Sequence, residues 1–269
     1  MTQDIPRLLC QVHRRVCQSL QHETVLADLP VGENAKGDTQ QRFDVVADAV
    51  IRRALHERFG SGILLSEESG AGQFGDGPPR YRFSVDPVDG SDNWGRGLPL
   101  SAVSIAVLPV DGPIQPDRVS WAMVGALRDA LPLTAGHTTG AYRGSHRIRV
   151  SGVRSVATAF VSCELNHCDP PPSVRRLLRS ARAVRTYGCA SQAITLVATG
   201  ALDVHVDLRD RLTAESFLAA SLILEEAGGC VVNADGHPIR QIDSLTSRTS
   251  LVAAATPELA QEVLHGLIG

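Results

Sequence analysis

The sequence predicts an α/β fold in which helices and strands are arranged in layers. Amphipathic helical segments and short apolar strand segments alternate in blocks along the 269 residues, without the regular period of a barrel or a repeat protein. Hydrophobic residues make up 43% of the chain, enough for a core in one large domain or two closely packed ones. We place the boundary between two such portions at residue 150, which gives an N-terminal portion (residues 1–150) and a C-terminal portion (residues 151–269).

The first half of the chain begins with helices and then changes to strands. Apolar residues at helical spacing predict helices over 4–21 and 43–59, and Gly60 ends the second helix. The polar, glycine-rich segment 27–42 and the segment 70–80, with its glycines and two prolines, are predicted to be loops. Apolar runs between turn residues predict strands over 63–65, 81–85, 102–108, 119–124 and 147–150.

The second half mixes strands and helices. Strands are predicted over 157–162, 204–206 and 251–255. Helices are predicted over 173–181, 189–199, 214–227 and from Pro257 to the C-terminus. Gly228 and Gly229 suit the end of the third of these helices, and Pro257 suits the first turn of the last.

The segment 86–91, Asp-Pro-Val-Asp-Gly-Ser, carries the strongest chemical signal. It directly follows a predicted strand, and Glu67 and Glu68 lie at the end of another, so these acids lie where α/β proteins bind ligands. Pro87 and the turn-forming Asp-Gly pair let both aspartates and the Val88 carbonyl converge on one point. Oxygen ligands of this kind suit Mg²⁺, which completes its shell with water and substrate phosphate. The alternative is that these acids are ordinary turn and strand-end charges.

Charge and composition argue against several classes of function. The net charge of −3 and the pI near 6.3 give no basic surface for nucleic acid or an anionic membrane. No apolar run reaches the length of a membrane span, and the first twenty residues lack the pattern of a signal peptide. The six cysteines show no Cys-x-x-Cys spacing, which argues against zinc and for reduced thiols. We therefore expect a soluble, cytoplasmic protein that binds neither nucleic acid nor membrane.

Lys36 is the only lysine among the 26 lysines and arginines, a bias that is typical of a GC-rich genome. Its presence before Gly37 and Asp38 has two interpretations. Either a compact ammonium charge is needed there, or one surface lysine happens to lie in a loop.

Three segments carry a family resemblance: 65–69 (Leu-Ser-Glu-Glu-Ser), 85–94 (Val-Asp-Pro-Val-Asp-Gly-Ser-Asp-Asn-Trp) and 226–229 (Glu-Ala-Gly-Gly). Together they resemble the inositol monophosphatase superfamily of Mg²⁺-dependent, lithium-sensitive phosphatases. The resemblance implies a stacked α-β-α-β-α fold, two or three Mg²⁺ ions, a phosphate-ester substrate and a homodimer. It also implies that the N-terminal portion carries most metal ligands and that the C-terminal portion completes the substrate site and the second metal site.

The resemblance implies which residues hold the metal. Glu67, Asp86 and the Val88 carbonyl would hold a first Mg²⁺ whose bound water is the nucleophile. Asp86 and Asp89 would hold a second ion, so that the two ions clamp the attacking and leaving oxygens. Glu68 is expected to be a neighbouring or surface acid and not a ligand.

It also implies which residues act on the water and the substrate. Asp44 and Ser91 would orient or deprotonate the water, although Asp44 also suits a simple helix N-cap. The residues expected to contact the substrate are Asp89, Gly90, Ser91, Gly188, Cys189, Ala190, Asp207 and Ser216. The segment 188–190 and Asp207 are equally explained as a packing glycine with its neighbours and a strand-end charge.

One position departs from the family pattern. An aspartate ten residues before the glutamate of Glu-Ala-Gly-Gly is expected to complete the second metal site, but Ser216 stands ten residues before Glu226, with Glu215 preceding it. Serine is a weak, neutral ligand for Mg²⁺. Either Glu215 replaces the aspartate, or Asp207 or Asp210 supplies the charge, or the second metal is weak and the protein is slow, altered in specificity or no phosphatase. We expect Glu215 to replace it, because every other ligand is present.

These observations predict a Mg²⁺-dependent phosphatase that hydrolyses a small-molecule phosphate monoester, of the inositol monophosphate or sugar phosphate type, with a metal-activated water. The segment 207–211 and the short chain favour bacterial and archaeal inositol monophosphatase/fructose bisphosphatase relatives. One alternative is a specialised biosynthetic phosphatase for a nucleotide or histidinol phosphate. Another is a non-catalytic relative that binds a phosphorylated ligand or a protein. Phosphoryl transfer is disfavoured because no Walker or kinase loop is present.

Overall fold

In the computed structural model, which describes residues 4–21, 30–37, 39–240, 242, 244 and 246–268, helices and strands form five stacked layers. The helices are α1 (Ile5–Gln21), α2 (Arg42–Phe59), α3 (Ser91–Gly95), α4 (Pro172–Ser180), α5 (Ala190–Ala198), α6 (Ala214–Glu226) and α7 (Pro257–Ile268). The strands are β1 (Pro30–Glu33), β2 (Thr39–Gln41), β3 (Gly62–Ser66), β4 (Gly70–Phe74), β5 (Tyr81–Asp89), β6 (Ala102–Pro109), β7 (Trp121–Ala126), β8 (Leu133–Gly136), β9 (Gly140–Arg143), β10 (His146–Arg147), β11 (Phe160–Cys163), β12 (Ala183–Arg185), β13 (Val204–Leu212), β14 (Cys230–Asn233) and β15 (Thr249–Ala254).

Two large sheets form the second and fourth layers. One has eight strands in the order β10-β9-β8-β7-β6-β5-β3-β4, and the other has five in the order β12-β11-β13-β15-β14. Helices α1 and α2 cover the outer face of the larger sheet, α5 and α6 lie between the two sheets, and α4 and α7 cover the outer face of the smaller one. The stacked α-β-α-β-α fold is therefore confirmed.

Strand β6 shows why the layers form. Ala106 and Leu108 pack toward the helices between the sheets, whereas Ile105 and Val107 pack toward α1 and α2. Successive side chains of a strand point to opposite faces, so a strand that is apolar at every position must be covered on both sides. The predicted helices on either side supply that cover.

The helix predictions are confirmed, but two loop predictions are wrong. The segment 70–80 begins with β4, which pairs antiparallel with β3, and its small Gly-Ala-Gly residues carry no apolar signal that would identify a strand. The segment 27–42 contains the exposed hairpin β1–β2. Residues 27–29 and Asp38 of that segment lie outside the described residues.

Strand boundaries also differ from the predictions. The predicted strand 147–150 is only the two-residue β10, and the predicted strand 204–206 continues to Leu212 as β13. The short strands β8, β9, β12 and β14 and the short helix α3 were not predicted, because elements of three to five residues give too little periodicity. The chain leaves the larger sheet after Arg147 and enters the smaller one at Phe160, while the division at residue 150 stays a prediction. No helix within the described ranges is long and apolar enough to cross a membrane.

Candidate active site

The parallel register of β3 and β5 brings two of the predicted acids together. Ser66 lies opposite Val85, so Glu67, which directly follows β3, comes side by side with Asp86 near the carboxyl end of β5. The Glu67 amide donates to the Val85 carbonyl at 3.1 Å and fixes this turn. Residues far apart in sequence thus meet at the edge where the site forms.

A bulge in β5 turns the two aspartates of the segment 86–91 to the same side. Asp86 pairs with Ser104 of β6, but Asp89 pairs with Ala102, so β5 carries one extra residue between them. Residues three apart in a regular strand face opposite sides, and one inserted residue restores them to a common side. Gly90 then takes a left-handed conformation with φ 84°, and a Cβ there would lie 2.8 Å from the Leu100 carbonyl. The segment therefore needs glycine before α3 can begin.

A polar cleft of about 270 Å³ opens at this edge. Its walls include the predicted site residues Asp44, Glu67, Asp86, Val88, Asp89, Gly90, Ser91, Gly188 and Ser216. Asn34, Thr39, Glu68 and Asp92 also line it. Most of the predicted site is thereby brought into one cleft.

The carboxylates of the cleft repel one another. Burial raises the pKa of Asp86 well above its usual range, and the charges of Glu67 and Asp89 raise it further. Burial likewise raises the pKa of Glu68 to about 7 despite the hydrogen bond that its carboxylate accepts from Gln40. A bound cation would relieve this repulsion.

The donor set fits a Mg²⁺ ion, which prefers hard oxygen ligands. No group of three or more His, Cys, Asp or Glu side chains among the described residues could by itself hold a metal ion. Mg²⁺ does not require such a cage, because it is usually bound by one or two carboxylates together with water and substrate phosphate. Within the cleft, one or two of the Glu67, Asp86 and Asp89 carboxylates together with the Val88 carbonyl could supply such oxygens.

Asp44 and Ser91 form the predicted pair. The Ser91 hydroxyl lies 3.1 Å from Asp44 Oδ1 and 2.8 Å from the Val88 carbonyl, to either of which it can donate. Burial, with the charge of Glu68, raises the pKa of Asp44 to about 7. The other oxygen of Asp44 accepts from the Gln41 amide at 2.9 Å, so Asp44 also stabilises the start of α2. Asp44 is the third residue of that helix; Gln41 is its N-cap.

Asp89 is held by residues at the start of α5. Its Oδ2 accepts hydrogen bonds from the Ser191 amide at 2.6 Å, the Ser191 hydroxyl at 2.5 Å and the Cys189 thiol at 3.2 Å. Ser191 was not predicted, because nothing in the sequence shows that the start of α5 lies against β5. Cys189 is buried against Asp89, and neither it nor Ala190 lines the cleft, so their contact with substrate stays a prediction.

A sequence model of the inositol monophosphatase family matches residues 7–268. The chain belongs to that family. It is 29% identical over 241 residues to a fructose-1,6-bisphosphatase/inositol-1-monophosphatase of Thermococcus kodakarensis, with 88% of this chain and 86% of that protein covered. It is 31% identical over 216 residues to an inositol-1-monophosphatase of Mesorhizobium japonicum, with 78% and 77% covered. The solved inositol monophosphatase of Thermotoga maritima superposes with a TM-score of 0.82 at 24% identity, covering 98% of this chain and 97% of that one.

Membership of the inositol monophosphatase family makes this protein a phosphatase that acts on phosphate esters. The family uses divalent metal ions, which agrees with the oxygen donors of the cleft.

Asp207 does not reach the cleft of this family member. It is fully buried, and Arg209 binds it at 2.9 Å through Nε and at 2.6 Å through a terminal nitrogen. Arg209 engages both carboxylate oxygens, and the contact of Asp207 with substrate stays a prediction. Glu164, also unpredicted, accepts from the Gly188 amide at 3.0 Å and fixes the glycine that lines the cleft.

At the position that departs from the family pattern, the two neighbouring residues Ser216 and Glu215 point in different directions. Ser216 lies on the cleft wall, 3.3 Å from Asp86 Oδ2. Glu215 is buried and turned away from the cleft, toward Lys36 at 2.8 Å and Thr213 at 2.6 Å. Its role as a metal ligand stays a prediction.

Proposed function

We propose that this protein is a Mg²⁺-dependent phosphatase that hydrolyses a small-molecule phosphate monoester of the inositol monophosphate or sugar phosphate type. The observation that carries the proposal is that three acids, Glu67, Asp86 and Asp89, share one cleft with the Asp44–Ser91 pair. When bound there, Mg²⁺ would neutralise phosphoryl oxygens and make water a better nucleophile. The similarity to a bifunctional bisphosphatase/monophosphatase and to an inositol-1-monophosphatase supports the substrate class.

The proposed ligands are Glu67, Asp86, Asp89 and the Val88 carbonyl. Two or three ions, the number that the family resemblance implies, are included in the proposal. The role that the family resemblance implies for Glu215 has weaker support, because the Glu215 carboxylate is engaged by Lys36.

Asp44 and Ser91 would accept the proton of the attacking water. The Ser91 hydroxyl has one hydrogen and can donate it to Asp44 Oδ1, which leaves its lone pairs free to accept from a water in the cleft. The pKa of Asp44 near 7 suits a group that exchanges a proton at neutral pH. A proton would thus pass from the water to Ser91 while Ser91 passes its own proton to Asp44.

The substrate would lie against the turn that follows β5. Gly90 and Ser91 offer backbone N–H groups at the first turn of α3, and Gly188 and Ser216 also line the cleft. Because this cleft is polar and small, a small hydrophilic phosphate ester fits it better than a large apolar one.

The test is phosphate release, with and without Mg²⁺, from inositol 1-phosphate, fructose 1,6-bisphosphate, 3′-phosphoadenosine 5′-phosphate, histidinol phosphate and nucleoside monophosphates. We expect release from a monophosphate or bisphosphate of the first two types, abolished in Asp86→Asn and retained in Asp111→Asn, which alters an exposed aspartate outside the cleft. Preferred release from a nucleotide or histidinol phosphate would instead identify a specialised biosynthetic enzyme. Absence of release from every ester would contradict the proposal.

A cytoplasmic homodimer belongs to the same proposal and rests on composition and family resemblance. Sedimentation equilibrium of the purified chain tests it, with a mass of twice 28.7 kDa expected. A single species of 28.7 kDa at micromolar concentration would contradict it.

A further inference from the structure

The single lysine of the chain is surrounded by oxygens just behind the cleft. Lys36 Nζ lies 2.6 Å from Glu67 Oε1, 2.8 Å from Glu215 Oε1 and 3.1 Å from the Thr213 hydroxyl. The Thr213 hydroxyl in turn donates to Glu215 Oε1 at 2.6 Å. The ammonium group therefore lies among three oxygens from two segments of the chain, Glu67 after β3 and Thr213 with Glu215 at the start of α6.

This arrangement is well buried. The Lys36 side chain is 8% exposed, the Glu215 side chain is not exposed, and the second oxygen of Glu215 has no hydrogen-bond partner among the described residues. A buried carboxylate without a counter-ion is strongly unfavourable, so Glu215 requires a cation at this point. Two carboxylates facing one ammonium also leave an excess negative charge.

We propose that the Lys36 ammonium is the resident cation of a closed oxygen site formed by Glu67, Glu215 and Thr213, which a divalent metal ion would occupy if the ammonium were absent. Contacts of 2.6 to 3.1 Å are hydrogen-bond lengths suited to an ammonium group, whereas Mg²⁺ requires about 2.0–2.1 Å. The donors themselves, two carboxylates and a hydroxyl, are of the type that hard divalent ions prefer.

In this site Glu215 is the counter-ion of Lys36 and not a ligand of the catalytic metal. Lys36 holds one oxygen of Glu67, and this fixes the direction in which the rest of that carboxylate faces the cleft. The acid that the family pattern places at position 216 has thus not moved to Glu215 as a metal ligand. By binding Lys36, Glu215 instead fixes the positive charge of that lysine beside the metal-binding acids. This inference rests on the proposed function only in naming Glu67 as an acid of the metal site.

The experiment counts bound ions and does not depend on turnover. The full chain is stripped of metal with a chelator and titrated with Mn²⁺, and free Mn²⁺ is followed by electron paramagnetic resonance. The variants are Lys36→Ala, Glu215→Gln and the double variant, with Lys36→Arg as the matched control that keeps a cation.

We expect Lys36→Ala to bind one Mn²⁺ ion more than the unaltered protein, and the double variant to lose that additional ion. Glu215→Gln alone and Lys36→Arg should bind the same number as the unaltered protein. An unchanged count in Lys36→Ala would overturn the inference, and so would a count lower by one in Glu215→Gln, which would make Glu215 a direct ligand. If Lys36→Ala does not fold even with Mn²⁺, the Glu215→Gln count still decides between the two roles. Absence of phosphatase activity would refute the proposed function but leave these counts unaffected.

Discussion

Removing the Ser191 hydroxyl should weaken metal binding, although Ser191 itself does not line the cleft. The hydroxyl is one of three donors to Asp89 Oδ2, with the Ser191 amide and the Cys189 thiol. In Ser191→Ala the amide and the thiol remain, so Asp89 stays in place but is held less firmly.

The magnitude follows from the strength of a hydrogen bond to a charged group, about 1.5–3 kcal/mol. Because two donors remain, we take the lower end, about 1.5 kcal/mol, which corresponds to about a tenfold change in an equilibrium constant. Loss of a residue that orients a metal ligand typically costs about 10–100-fold in metal affinity, which agrees with this value. The Mg²⁺ concentration for half-maximal activity should therefore rise about tenfold.

The pH profile provides a second measurement. Burial raises the pKa of Asp89 and the Ser191 hydrogen bonds lower it. Removing one of them raises this pKa further, and a carboxylate must be ionised to bind a cation. The acid limb of the activity profile should consequently move to higher pH.

Two variants separate this effect from a general loss of packing. Ser191→Thr keeps the hydroxyl and should restore the Mg²⁺ dependence. Ser221→Ala removes a hydroxyl that is equally buried in α6 and has no hydrogen-bond partner among the described residues, so it should change neither measurement. If Ser191→Ala keeps the Mg²⁺ dependence and pH profile of the unaltered protein while Asp89→Asn loses activity, Ser191 does not position Asp89.

Four further outcomes follow from the structure. Asp44→Asn should lower kcat by about 10²–10⁴-fold with little change in Mg²⁺ dependence, as expected for loss of a proton acceptor. If the variant only melts at a lower temperature and keeps its kcat, Asp44 stabilises the start of α2 and is not the proton acceptor. The metal-free protein should lose stability as pH rises from about 4 to about 7, because folded Asp44 and Glu68 retain protons that the unfolded chain releases. Melting curves should show this loss of stability, and saturating Mg²⁺ should make the loss smaller. Ser216→Asp places a carboxylate next to Asp86 and should lower the half-saturating Mg²⁺ concentration about tenfold; an unchanged value in a titration would show that position 216 does not reach the ion. Glu226→Ala removes hydrogen bonds at 2.5 and 2.6 Å to two backbone amides of the β8–β9 turn, and should lower the free energy of unfolding by about 1–3 kcal/mol in urea titrations while turnover is retained.

The Glu226 contacts show how far a family motif can be interpreted without a structure. The Glu-Ala-Gly-Gly segment correctly indicated the family, but nothing in its sequence distinguishes a structural glutamate from a catalytic one. Its carboxylate binds the turn at residues 138–140 and lies outside the cleft. The structural role of Glu226 becomes clear only from the packing of α6 against the larger sheet.

Short elements escaped prediction for a related reason. Strand β4 has the sequence Gly-Ala-Gly-Gln-Phe, and its position is decided by pairing with β3 and not by its own residues. The long elements were predicted correctly because ten or more residues of apolar periodicity are a strong local signal. Strand pairing is non-local, so residues 70–74 alone could not reveal it.

Residue type and local spacing were enough to predict the layered α/β class and to single out the acids Glu67, Asp86 and Asp89, and the resemblance of three segments indicated the family. The three-dimensional structure was needed to show three contacts. Arg209 binds Asp207, the Ser191 hydroxyl donates to Asp89, and Lys36 binds Glu215 behind the cleft. These contacts join residues from 2 to 179 positions apart, and most of them form only when separate elements pack together. Side-chain direction depends on that packing. The family resemblance could therefore suggest that Glu215 lies near the metal site, but the sequence could not determine the group that its carboxylate binds.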